Sequence, residues 1–144
     1  METNEVVMSG LQLKKLLSRK VEPIMLDCDL RPVELDILVF LYSEKNIDTA
    51  KGISRKKHLS KAHVSKSIDN LHSGGFVELT EDKDDHRIVH ISLTEKSGKV
   101  IDKVAKVYEE CRETMLKGIS EEELDILKKV ITKMNENINH ELGE

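Results

Sequence analysis

The apolar residues of this chain change period once, in the stretch from Phe76 to Leu93, and that change limits what the chain can fold into. Before it, apolar side chains recur every three or four positions, as on helices that bury one face. Within it, Val89, Ile91 and Leu93 fall on one side and Ile88, His90 and Ser92 on the other, the two-residue period of a strand. After it, helical spacing returns through Val100, Ile101, Val104, Val107, Tyr108, Cys111 and Met115. One short β interval inside a helical chain predicts a mainly α protein with a small β-hairpin. Aromatic residues at 3% and only two prolines point the same way, against a β-sandwich.

The elements follow in order. Leu13, Leu16, Leu17, Val21 and Ile24 predict an amphipathic helix from Leu11 to Met25, with Pro23 ending or bending it. A second helix starts at Arg31-Pro32, where proline is tolerated in the first turn, and runs through Leu35, Leu38, Val39 and Tyr42. A third, short and basic, covers Thr49 to Lys57. Ser60 has the side chain to cap a fourth, from Lys61 to Ser73, which Gly74-Gly75 stops. Segments Phe76 to Thr80 and Ile88 to Leu93 pair across the polar tip "EDKDDHR". Thr94 caps a long helix closed by Gly118, and Ser120 with Glu123 forms a capping box that opens a last helix. Leu124, Leu127, Val130, Ile131, Met134 and Ile138 give that helix an apolar stripe with no partner of its own.

Charge is distributed unevenly. The net charge is −4, yet Thr49 to Ser67 contains Lys51, Arg55, Lys56, Lys57, Lys61 and Lys66 and no acid. Such segregation creates a local positive field on an acidic molecule, which is what a phosphate backbone meets. In the fourth helix, Val64, Ile68 and Leu71 fix the buried side, so Lys61, Ala62, His63, Ser65, Lys66 and Asp69 face outward. A helix with a small, polar first turn fits the major groove, about 12 Å wide. The same pattern also suits an ordinary amphipathic surface helix. In an extended hairpin tip Asp85 and Arg87 project to the same side, so the carboxylate can orient a guanidinium suited to the minor groove; an isolated surface ion pair would look alike.

From Leu35 to Gly98 the chain resembles the winged helix-turn-helix core of the MarR (multiple antibiotic resistance regulator) family of bacterial transcription factors. "LSKAHVSKSIDNLHSGGFV" resembles the family's recognition helix and following turn, and "DKDDHRIVHISLTEKSG" its wing, with Asp85, Arg87, Leu93, Thr94 and Gly98 on the wing pattern. The resemblance implies a homodimer whose first and last helices intertwine, with two winged domains astride a pseudo-palindromic site in double-stranded DNA. It implies a sequence-specific regulator, a repressor by family habit, released by a small-molecule or redox signal. It assigns DNA contact to Ser60, Lys61, His63, Ser65 and Lys66 in the major groove and to Asp85, His86 and Arg87 on the wing. His86 stands where the family has a first wing arginine, Lys57 where it has an apolar residue, and His58 where the turn has glycine or another small residue. The expected division is 1–30 for N-terminal dimerisation, 31–94 for the winged helix-turn-helix and 95–144 for C-terminal dimerisation.

Other readings start from the histidines and cysteines. A metal-responsive regulator would need ligand spacing, but His86 and His90, four apart in a strand, stand roughly 13 Å from each other. No metal site, cofactor or catalytic residue is expected, since neither a nucleophile motif nor a phosphate-cradling glycine loop accompanies Asp84, Asp85 and His86. A winged helix that binds protein and not DNA is the remaining alternative, opposed by the basic third and fourth helices. Cys28 and Cys111 show no CxxC or zinc spacing and read as reduced thiols. Asp27 and Asp29 beside Cys28 disfavour a thiolate. No apolar run approaches the roughly 20 residues of a membrane span, and no signal-peptide pattern opens the chain, so the expected location is cytoplasmic.

Overall fold

The computed structural model describes residues 3–143. They form α1 (Thr3–Cys28), α2 (Pro32–Ser43), α3 (Ala50–Lys57), α4 (Lys61–Ser73), β1 (Val77–Glu81), β2 (Val89–Leu93), α5 (Glu95–Leu116) and α6 (Glu121–Leu142). The order and type of every element agree with the periodicity. The strands pair antiparallel, with Leu79 opposite Ile91 and Thr80 opposite His90.

One expectation is narrowed and one is corrected. Of the two outcomes expected at Pro23, an end to the helix is excluded, since α1 runs on to Cys28. A proline inside a helix costs about 3 kcal/mol locally; here Val21, Ile24, Met25 and Cys28 on either side of it pack against the core, and that burial keeps the helix going. The correction concerns Asp85 and Arg87, which lie in a turn and not in an extended segment: Ile88 N donates to Asp85 O at 2.9 Å, closing a turn over His86 and Arg87.

The chain divides into two compact units, residues 1–111 and 112–144. The first has one core, in which Ile37, Leu38, Ile53, Val64 and Leu71 from α2, α3 and α4 meet Phe76 just before β1, Val77 and Ile91 of the hairpin, and Val100 and Val104 of α5. Val64, Ile68 and Leu71 are buried as their spacing requires. The segment before residue 30 thus contributes to the winged core in addition to any part it has in dimerisation.

Local ties set the angles between elements. His58 ends α3 in the left-handed region, with φ 51°, the conformation for which glycine is usual. Leu59 N donates to Ser54 O at 3.2 Å and Ser54 Oγ donates to Leu59 O at 2.7 Å, so the turn before α4 is held by a serine. Glu34, buried in α2, takes Arg31 N at 2.9 Å and Asn70 Nδ2 of α4 at 2.9 Å. At the other end of α4, Thr94 Oγ1 donates to Gly75 O at 2.7 Å and Lys96 Nζ donates to Gly74 O at 2.6 Å. Lys96 Nζ also lies 4.3 Å from the centre of the Phe76 ring.

In the second unit, α6 opens on the expected capping box: Glu123 N donates to Ser120 Oγ at 3.2 Å and Ser120 N to Glu123 Oε2 at 2.8 Å. None of its described side chains is buried, and Leu127, Val130, Ile131, Met134 and Ile138 lie open. Among the described residues, no helix is long and apolar enough to cross a membrane.

Candidate nucleic-acid interface

Two elements of the first unit present polar and cationic side chains outward. The first is α4. Ser60 caps it, its Oγ accepting from His63 N at 3.2 Å, so the first turn is fixed in direction. Ser60, Lys61, His63, Ser65 and Lys66 are all exposed, as are Ala62 and Asp69. Lys51, Arg55 and Lys56 of α3 are exposed as well, which widens the basic area around the turn.

The second element is the wing. Asp85 grips Arg87 at two points, Oδ1 to Nε at 3.0 Å and Oδ2 to Nη2 at 3.1 Å, and Oδ1 also accepts from Arg87 N at 3.0 Å. A bidentate carboxylate fixes the plane of the guanidinium as well as its position. Those hydrogen bonds hold the Asp85 carboxyl below its ordinary pKa and push Arg87 further up. The Arg87 side chain is 91% exposed, so the grip orients the arginine without burying it. His86 points its Nδ1 at Glu81 Oε2, 3.0 Å away. His90, the wing's other histidine, meets Asp48 and Asp82 instead, and among the described residues no group of three acid, histidine or cysteine side chains is arranged for a metal ion.

Sequence reasoning did not single out Asp48 or Asp82, which shape the wing, and weighed His90 only as a metal ligand. Asp82 accepts from Asp84 N at 3.0 Å and Asp85 N at 3.1 Å through Oδ2, folding the tip into an Asx-type turn. Its place two and three residues before those amides was a legible signal. Asp48 and His90 meet across 42 residues of chain, and no local pattern announces them.

A cleft of about 500 Å3 lies between α1, α2 and α5. Leu13, Leu17, Val21, Met25, Val39 and Tyr108 are on its walls, with Lys14 and Asp36 as charged members. Burial against these walls, and then the charge of Asp36, raises the Tyr108 phenol above its ordinary pKa. Both cysteines are free, Cys28 half-buried and Cys111 buried.

Residues 29–88 match the sequence profile of the MarR family. An uncharacterized HTH-type transcriptional regulator, YdgJ, of Bacillus subtilis (strain 168) is 29% identical over 106 residues, which are 74% of this chain. The match spans 64% of that relative's length. Among solved structures, the S. aureus MepR–DNA complex has the same fold, with a TM-score of 0.74 at 22% identity, covering 95% of this chain and 98% of that one. A MarR family protein from Bacillus stearothermophilus does too, with a TM-score of 0.74 at 20% identity over 96% and 99% of the two chains.

Proposed function

We propose that this chain, whose residues 29–88 match the MarR family profile and whose fold is that of MarR family structures, is a transcriptional regulator that binds a pseudo-palindromic site in double-stranded DNA as a homodimer and represses. The observation that carries this reading is the presence on one compact unit of an exposed, capped α4 and an arginine held in one orientation on the wing. Ser60, Lys61, His63, Ser65 and Lys66 face the major groove in this reading. Arg87, oriented by Asp85 and flanked by His86, enters the minor groove. The related fold of a protein solved with DNA supports the assignment. The match to the MarR profile and to an HTH-type transcriptional regulator supports a regulator in preference to an enzyme.

The open apolar stripe of α6 supports a second copy of the chain as the partner, since stripes of this length on a soluble helix mark an interface. The cleft between α1, α2 and α5 supports release by a small, mainly apolar effector.

The test is fluorescence-anisotropy binding of wild type and Arg87→Ala to the DNA upstream of the protein's own gene, with non-specific competitor. Six to ten phosphate contacts would lower affinity by roughly 10³ to 10⁵ between 50 and 200 mM salt. Competitor-resistant, salt-sensitive binding that the variant loses is the expected result. Equal, weak binding by both proteins overturns the reading.

A further inference from the structure

His90 stands in β2 with its ring between two carboxylates. Nδ1 is 2.9 Å from Asp48 Oδ2, and Nε2 is 2.8 Å from Asp82 Oδ1. Asp48 belongs to the connection between α2 and α3; Asp82 begins the turn between the strands. A neutral imidazole has one N–H and one bare nitrogen, while an ionised carboxylate only accepts. The neutral ring can satisfy one of these contacts and must face lone pairs across the other. Both together require the imidazolium. The two carboxylates sit at opposite nitrogens, so this is a bridge between chain segments and not a convergent metal site.

The bridge continues in both directions. On the α3 side, Asp48 also gives its backbone carbonyl to Ile91 N at 2.7 Å, so one residue holds two successive positions of β2. On the tip side, Asp82 uses its other oxygen for Asp84 N and Asp85 N, and Asp85 grips Arg87. A continuous series of contacts runs from the connection before α3 to the wing arginine, and His90 is its only ionisable cation before Arg87.

We infer that protonated His90 is the positioning residue of the wing: it ties the Asp82 turn to the α2–α3 connection, fixes where Arg87 is presented, and makes that presentation depend on its own protonation. Its consequence for DNA rests on the function proposed above; the tie itself does not. The hydrogen bonds that His90 donates to Asp82 and then to Asp48 raise its pKa above the ordinary value. The other charged groups nearby are Lys45, which lines the groove beside Asp48, the Glu81–His86 pair, and exposed Lys83 and Asp84 in the turn. Thr80, opposite His90 in the register, is neutral. Two carboxylates at contact distance act on the ring more strongly than a cation across a groove.

The experiment is an NMR pH titration with parallel DNA binding. Both use a His63→Gln/His86→Gln background, which removes the other two histidines assigned to the interface. The expected result is that the amide signals of Asp84 and Asp85 and the Nε–H signal of Arg87 move with the midpoint of the His90 ring, above 6.5. Specific affinity should fall roughly tenfold from about pH 6 to about pH 8.5 as the competent wing population drops. His90→Gln should abolish the coupled movement and leave affinity at its high-pH level throughout. Asp48→Asn should lower the His90 midpoint and weaken binding at pH 6. If His90 were only a charge near DNA, removing that carboxylate would strengthen binding, and this outcome overturns positioning. Wing signals indifferent to His90 overturn the tie. Wing signals that follow His90 while affinity does not would uphold the tie and overturn the assignment of Arg87 to DNA.

Discussion

Asp85 and Arg87 are joined at three points, two on the guanidinium and one on the backbone amide, although both residues sit in an exposed turn. The carboxylate spends its acceptor capacity on a single neighbour. What results is an arginine with a defined plane and almost full exposure, as the proposed minor-groove contact requires.

Arg87→Ala should therefore weaken specific DNA binding by about ten- to a hundredfold while leaving the thermal midpoint close to that of wild type. Asp85→Asn should produce a smaller loss, because the cation survives but its orientation does not. Anisotropy titrations of the two variants side by side test this; equal losses would mean that charge alone matters at this position.

Ser60 carries a structural duty that can be separated from any contact it makes with DNA. Ser60→Ala removes the acceptor for His63 N and should cost about 1 kcal/mol of stability by denaturant unfolding. Ser60→Asp restores a capping oxygen and should regain that stability, yet bring a negative charge to the face of α4 assigned to DNA and lower affinity.

Stability should pass through a maximum in mildly acidic solution. His90 has its pKa raised above 6.5, so its contribution is complete below that value and is lost as pH rises through the higher folded value. Asp82 and Asp85 have theirs lowered from 3.8, so their contributions are complete above that value and disappear as pH falls through the lower folded values. Thermal melts from about pH 3 to pH 9 should show loss on both sides. His90→Gln should flatten the alkaline side only; an unchanged alkaline limb would assign that loss to another group.

Gly52 is placed where a side chain has no room. A Cβ there would stand 2.5 Å from Ile47 Cγ2 and 3.2 Å from Thr49 Oγ1. Alanine gains about 1 kcal/mol in helix propensity but meets an overpacking cost of roughly 1–3 kcal/mol, so Gly52→Ala should be net destabilising. In an Ile47→Ala background the same change should become neutral or favourable, and a double-mutant cycle by urea unfolding measures the difference.

The α6 stripe predicts its own disruption. Leu127 is 45% exposed and Ile138 53%, with Val130, Ile131 and Met134 between them on the same face. Replacing Leu127 and Met134 by glutamate should reduce the mass measured by light scattering to that of a monomer. A dimer that withstands both charges would place its interface elsewhere.

The fold was legible wherever the determining contacts are local. Val64, Ile68 and Leu71 announce the buried side of α4 by spacing alone, and Ser60, Ser120 and Glu123 announce helix starts through bonds that span three residues. The exposed residues of α4 follow from the same spacing. What stayed hidden depends on distance along the chain or on competition between energies. Asp48 meets His90 across 42 residues and Glu34 meets Asn70 across 36, separations at which no periodicity survives. Pro23 left open whether the helix stops or continues, and the packing of its neighbours against the core decides for continuation. The Asp85–Arg87 pairing was foreseen, but by way of a strand geometry that the tip does not have.

Thr94 and Lys96 fasten the start of α5 to the carbonyls of Gly75 and Gly74, immediately behind α4. A swivel at that corner would break both bonds. The first turn of α5 is thus keyed to the corner behind α4, and a rotation of that turn has to carry the corner with it or give up both bonds.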